Sequence, residues 1–243
     1  MGAMKPLPPF TLAEGVSFRM LPVDGGEFDM GGDEYSDEKP IHKVRLGGFY
    51  LGEFPVTQAV WLAVVDGNNP SHFHGENRPV ESVSWNDAQR FIERLNARTG
   101  QSFRLPTDAE WEYAARGGAW SEGFQYAGSD RLDEVGWYDE NSYGETKPVG
   151  LKLSNELGLH DMSGNVWEWC HDWYDSDYYA ACQAQGVVTN PEGPKEGEYR
   201  VLRGGSYFHY AEDCRCAGRD HYPPGFRLGF IGFRLALSPS SVR

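Results

Sequence analysis

The sequence predicts a single α+β domain in which small antiparallel sheets and a few helices are set in much irregular chain. Three observations predict it. Residues 16–56 alternate short apolar runs with Gly and Asp turns. Residues 57–117 carry three helix-period segments with capping residues. Beyond residue 118 the chain turns Gly-, Asp-, Trp- and Tyr-rich, and no further helix is expected there.

The elements follow in order. Residues 1–15 read as an N-terminal arm, and Met1-Gly2-Ala3-Met4 as a cloning remnant. Val16–Met20, Gly26–Met30, Lys43–Leu46 and Phe49–Leu51 read as strands, and Asp33–Lys39 as a charged, solvated turn. A first helix begins near Thr57 with Val60, Trp61 and Val64 on one face. A second spans about Asn86 to Arg98, placing Ala88, Phe91, Ile92 and Leu95 on one stripe before Gly100. The third opens on Thr107-Asp108-Ala109-Glu110, a capping box, and closes at Gly117-Gly118. Residues 16–243 form one domain, since no linker, repeat or low-complexity tract interrupts them.

Composition bounds the function. The net charge of −14 opposes binding to nucleic acid or to an anionic membrane surface. No apolar run is long enough to span a bilayer. Four cysteines, Cys170, Cys182, Cys214 and Cys216, are too few for a disulfide scaffold in 243 residues. The chain has no nucleophile elbow, P-loop or zincin helix. His72 and His74 flank Phe73 in a Pro- and Asn-rich loop without an evident third metal ligand. Glu110 and Glu112 flank Trp111 on a helix and point apart, so they make no acid–base pair.

Several segments together carry more. Gly25-Gly26-Glu27-Phe28-Asp29-Met30-Gly31, Phe54-Pro55-Val56-Thr57, Pro79–Trp85, Arg104–Arg116, Gly164-Asn165-Val166-Trp167-Glu168-Trp169, Arg203-Gly204-Gly205-Ser206 and Gly232-Phe233-Arg234 occur in this order. In this the chain resembles the formylglycine-generating enzyme (sulfatase-modifying factor) family over about residues 16–236. The resemblance implies a variant of the C-type-lectin fold. It also implies one of three functions: oxidation of a sulfatase cysteine, another oxidative role in biosynthesis, or non-catalytic ligand display by the variable protein of a diversity-generating retroelement.

Two site expectations follow from the resemblance. The first is a structural calcium ion, held by the side chains of Asp161 and Glu168 and the carbonyls of Gly164 and Val166. Such a mixture of carboxylate and carbonyl oxygens suits that ion. A second site near Asp139 and Asn141 carries less weight, and no organic cofactor is expected. The other concerns catalysis. Members that oxidise sulfatases keep a copper-binding cysteine pair just after the Gly-Gly-Ser-aromatic turn. Here that place reads Tyr207-Phe208-His209-Tyr210-Ala211-Glu212-Asp213. Cys214 and Cys216 come later, and one is expected to be buried and one at the surface. A metal-dependent oxidase using Cys214, Cys216, His209 and His221 is the alternative reading.

The preferred reading is a binding face at about residues 200–236. In retroelement variable proteins this region carries codons diversified at adenine, which cannot become Trp, Gln, Lys, Glu or Met. None of those types occurs at Tyr207, Phe208, His209, Tyr210, Cys216, Gly218, Asp220, His221, Tyr222, Gly225, Phe226, Leu228, Gly229 or Phe230. Between them stands a frame: Arg203–Ser206, Arg215, Ala217, Arg219, Arg227 and Ile231–Arg234. Aromatic residues give large contact area for little lost rotamer freedom. Tyr207–Tyr210 and Asp220–Phe230 are therefore expected on one face, toward a protein or other macromolecular ligand. A monomer is expected. The compartment stays open, and the resemblance admits cell-surface display or export with a targeting segment outside this sequence.

Overall fold

In a computed structural model the chain is described over residues 4–65 and 67–239; the opening Met1-Gly2-Ala3 lies outside these. Thirteen strands occur among the described residues. They are β1 Phe10–Ala13, β2 Val16–Phe18, β3 Met20–Val23, β4 Gly26–Met30, β5 His42–Leu46, β6 Phe49–Gly52, β7 Phe103–Arg104, β8 Trp167–Trp173, β9 Val187–Thr189, β10 Arg200–Arg203, β11 Arg219–Tyr222, β12 Ile231–Phe233 and β13 Ala236–Leu237. The helices are α1 Gln58–Val64, α2 Trp85–Thr99, α3 Asp108–Ala115, α4 Leu132–Val135 and α5 Tyr178–Gln185. The strands form four small sheets: β1-β2, β3-β6-β13-β7, β4-β5-β9 and β11-β10-β8-β12. Phe10–Ala13 of the N-terminal arm thus pairs with β2, and Leu12 enters the core.

The three predicted helices form where local chemistry starts them. Thr57 and Ser84 each accept a backbone N–H from the first turn of α1 and α2, and Asp87 returns the bond to Ser84. Thr107 and Glu110 complete the same reciprocal cap on α3. Glu110 then takes both Nη groups of Arg104, at 2.6 and 2.7 Å. Gly100 ends α2 in the left-handed region at φ 69°, which costs little without a Cβ.

Two helices beyond residue 118 were not expected. α5 is built of Ala and Gln with Tyr179 and Cys182 facing inward, and α4 is a single turn. Neither has a capping side chain at its start. They are too short to show a 3.6-residue period, so packing rather than local signal forms them. The Asp33–Lys39 turn also departs from expectation. It is not wholly solvated, because Glu38 is fully buried against Arg215.

Strand β8 divides the interior. Its side chains alternate, so Trp167 and Trp169 join the core beneath α1 and α2, with Phe91 and Phe233. Cys170 points to the second core, with Trp111, Tyr113 and Phe49. Trp61 stacks on Phe91 at 5.4 Å, and Phe233 meets both edge-on. The sheet β11-β10-β8-β12 therefore stands on two packed layers, and the C-terminal segment hangs from it.

Candidate ligand-binding face

The frame of the C-terminal segment is a set of arginines, each tied to a distant part of the chain. Arg203, fully buried, gives Nη2 to Glu112 at 2.8 Å and to the Tyr179 hydroxyl at 2.9 Å, and Nε to Asp108. Its Nη1 reaches the carbonyls of Cys216, Ala217 and Gly218 at 3.3, 3.0 and 3.1 Å. Arg215 forks onto Glu38 at 2.6 and 3.1 Å. Arg219 pairs with Asp108 at 2.8 Å and donates to the Asp37 carbonyl. Arg227 forks onto Asp87 near the surface. Bidentate pairs of this kind fix position as well as charge.

The charges respond to one another. Burial alone would raise Asp108 and Glu112. Arg203 and Arg219 hold Asp108 below its ordinary range, and Arg116 and Arg203 do the same for Glu112. Asp172, also buried, faces Asp108 without an arginine of its own, and burial together with that neighbour pushes it well up.

The turn after β10 needs its two glycines. Gly204 and Gly205 stand at φ 98° and 71°. A Cβ on Gly205 would lie 2.5 Å from the Cys214 sulfur, and one on Gly204 would lie 3.0 Å from the Trp111 ring. Ser206 is buried; its hydroxyl accepts the Phe208 N–H at 3.2 Å and lies 2.7 Å from His209 Nδ1.

Between these fixed points the side chains separate into inward and outward. Tyr207 is buried: its N–H reaches the Asn165 carbonyl, its own carbonyl accepts the Ser142 hydroxyl, and its ring meets Phe73 edge-on. Phe208 and Tyr210 are 65% and 69% exposed, and Phe226 is 49% exposed. His209 is half-buried over Trp167 at 5.7 Å. Asp220, His221, Tyr222, Leu228 and Phe230 are partly exposed.

The expected set thus contracts. Cys216 and Gly218 are buried and belong to the interior, because Arg203 draws their carbonyls in. A Cβ on Gly218 would lie 2.7 Å from the Asp213 carbonyl oxygen. Tyr207 serves as an anchor rather than a contact. The remaining residues form three aromatic groups rather than one continuous stripe. Phe208 lies parallel to Phe230 at 6.4 Å, with His209 edge-on to both. Tyr222 tilts against Phe226 at 6.0 Å. His221 stacks flat on Tyr174 at 3.8 Å, with Tyr199 edge-on at 5.1 Å. Tyr174, Tyr199 and Phe73 join the face from outside the C-terminal segment. No spacing in the sequence marks them.

All four cysteines are buried. Both Cys214 and Cys216 are enclosed, against the expectation of one inside and one at the surface. They lie in different core clusters. Burial pushes the Cys214 thiol up strongly and the Cys216 thiol up to about 12. A thiol so placed is neutral and shielded, the reverse of a reactive or copper-ready thiolate.

The two acids expected to hold calcium are already engaged by the protein's own donors. Glu168 is fully buried, and its oxygens take Arg234 Nε and Nη2 and the Trp111 indole N–H, at 2.7–3.2 Å. A guanidinium already supplies the positive charge there. Asp161 accepts the Gly150 N–H at 2.8 Å and the Asn165 amide at 3.0 Å, and burial pushes it up, toward the neutral form. The N–H groups of Gly164 and Asn165 close the neighbouring turn onto the Gly204 and Trp137 carbonyls. Of the second set, Asn141 is engaged with the Tyr138 N–H. Treatment with EDTA should leave the melting temperature within about 1 °C, since a bound ion would otherwise add several kcal/mol by linkage. A clear drop, restored by added calcium, would reverse this assignment.

A family model for the sulfatase-modifying factor enzyme 1-like domain matches residues 12–239. The chain belongs to the sulfatase-modifying factor family. Within that family it is 37% identical to the chaperone protein LppX of Paenibacillus barcinonensis, over 79% of each chain. It is 33% identical to the formylglycine-generating enzyme of Streptomyces coelicolor, over 88% of this chain and 87% of that enzyme. It also matches the serine/threonine-protein kinase Pkn1 of Chlamydia trachomatis at 34%, but spans only 38% of that protein's length. Among solved structures, Treponema denticola variable protein 1 superposes with a TM-score of 0.87 at 32% identity, covering 96% of this chain and 99% of that one. The fold of this sulfatase-modifying-factor domain is accordingly the formylglycine-generating-enzyme type.

Proposed function

We propose that the protein is a non-catalytic ligand-binding domain and that its C-terminal segment is the variable face of a diversity-generating retroelement protein. One observation carries the reading. The frame arginines Arg203, Arg215 and Arg219 are buried in ion pairs with remote carboxylates, while the residues between them that could vary are the exposed or half-exposed aromatics. A scaffold that draws little stability from Phe208, Tyr210 or Phe226 leaves them free for contact. The similarity to the Treponema variable protein supports the same assignment. Its ligand is a protein or another macromolecule, bound by a monomer.

The identity to formylglycine-generating enzymes favours a second reading, a metal-dependent oxidase. Enclosed, neutral thiols at Cys214 and Cys216 weigh against it.

A display library tests the proposal. Randomising Phe208, His209, Tyr210, His221, Tyr222, Phe226, Leu228 and Phe230 should leave most variants folded, and selection should yield binders to unrelated protein targets. Collapse of most library members, or stoichiometric copper in the purified protein that is lost on Cys214→Ser, would overturn it.

A further inference from the structure

Every deeply buried arginine of the frame has a carboxylate partner: Arg203, Arg215, Arg219 and Arg234. Arg200, at the start of β10 and only 8% exposed, has none among the described residues. Its guanidinium carbon lies over two indole rings, 3.8 Å from the Trp85 ring centre and 3.4 Å from that of Trp173. Nη1 donates to the His171 carbonyl. The other, side-on edge, formed by Nε and Nη2, meets no acceptor among the described residues, and Nε is buried. Burial pushes this guanidinium down to about 10, against an opposing pull from the Asp172 charge.

Arg200 lines a cavity of about 380 Å³ together with His171, Trp173, Glu192 and Lys195. Lys195 is exposed at its margin and forms no ion pair among the described residues. Glu192, the one acid in the lining, is shared with a neighbouring cleft and is among the charges acting on Arg104 there. Burial and Arg200 push His171 down, so it is neutral at pH 7. The lining therefore carries two cations and one anion in a chain of net charge −14. An unfilled guanidinium edge is costly while it lacks an acceptor. Two rings so close to the guanidinium carbon restrict a partner to its edges, where a planar carboxylate fits better than a tetrahedral anion.

We infer that this cavity is a carboxylate-binding subsite, in which the Arg200 guanidinium, with no carboxylate partner of its own among the described residues, and Lys195 hold the same charge. Its lining shares no residue with the aromatic face, although Arg200 lies opposite Tyr222 in the β10–β11 pair, and the inference does not rest on what that face binds. The carboxylate belongs either to a free small acid or to the C-terminus of a peptide.

Tryptophan fluorescence of the full chain reads the site directly, because Trp85 and Trp173 lie against the guanidinium. Acetate, N-acetylalanine and sulfate are titrated at constant ionic strength with chloride as balance. The expected result is a saturable change with both carboxylates, weaker by about fivefold or more with sulfate, and weakened about fivefold or more in Lys195→Glu. Arg200→Lys, checked for fold by circular dichroism, should lose it; if that variant unfolds, Lys195→Glu carries the test. Tighter binding of N-acetylalanine than of acetate assigns the subsite to a peptide terminus, and equal binding to a free acid. Absence of saturation with either carboxylate up to about 50 mM, well beyond ordinary millimolar affinities, overturns the inference. So does sulfate binding as tightly as carboxylate, or an unchanged titration in Lys195→Glu.

Discussion

Arg203→Leu should destabilise the fold by about 3–5 kcal/mol, because it strips one partner from each of two buried carboxylates. Asp108 would keep Arg219 and Tyr179, and Glu112 would keep Arg116, but the charge between them would be gone. The carbonyls of Cys216, Ala217 and Gly218 would lose the N–H groups that hold the strip inward. Urea denaturation at pH 7 measures the loss, and a melting shift of roughly 10 °C should accompany it. The pH dependence has a definite sign. Asp108 and Glu112 are held below their ordinary values, so their contribution is present above the unfolded carboxylate range and fades as pH falls through the folded one. The gap between parent and variant should therefore be widest at neutral pH and narrow as pH falls below the ordinary carboxylate range, where these carboxylates gain protons. A loss below about 1 kcal/mol at pH 7 would show that the network does not hold the strip.

Substitutions within the strip should divide sharply by position. Phe208→Ser, Tyr210→Ser and Phe226→Ser should each change stability by no more than about 0.5 kcal/mol, since these side chains support little of the interior. Gly218→Tyr should cost about 3 kcal/mol or more: its Cβ would press on the carbonyl oxygens of Asp213 and Arg215, which are backbone and cannot turn aside. Cys216→Tyr should behave similarly, as it would force a ring into a closed core. Thermal melts of these five variants check the division. If Gly218→Tyr proved as mild as Phe208→Ser, the variable set would extend inward and the frame described above would be too narrow.

Much of the helical part was legible because its causes are local. Thr57, Ser84 and Thr107 cap helices that begin beside them, and the apolar stripe of α2 repeats within fifteen residues. The short helix at Tyr178–Gln185 was not legible, because it has no capping side chain and owes its place to Tyr179 reaching Asp108. The strip was partly legible. The Tyr207–Tyr210 run had to expose some of its rings, and it does, although by a turn rather than by strand alternation.

Taken alone, the sequence determined the family, the three main helices, the frame arginines as a class, and the absence of a cysteine pair after the Gly-Gly-Ser turn. Each of those is a matter of residue type at a local spacing. Only the tertiary structure decided what each arginine holds, because Glu38 and Arg215, or Asp108 and Arg219, lie more than a hundred positions apart in the chain. It decided that Arg234 already satisfies Glu168, and that Arg200 is left without a partner. It also decided which aromatics face out, and that Cys214 and Cys216 do not. Burial of a side chain depends on everything packed around it, and none of that is written in its neighbours along the chain.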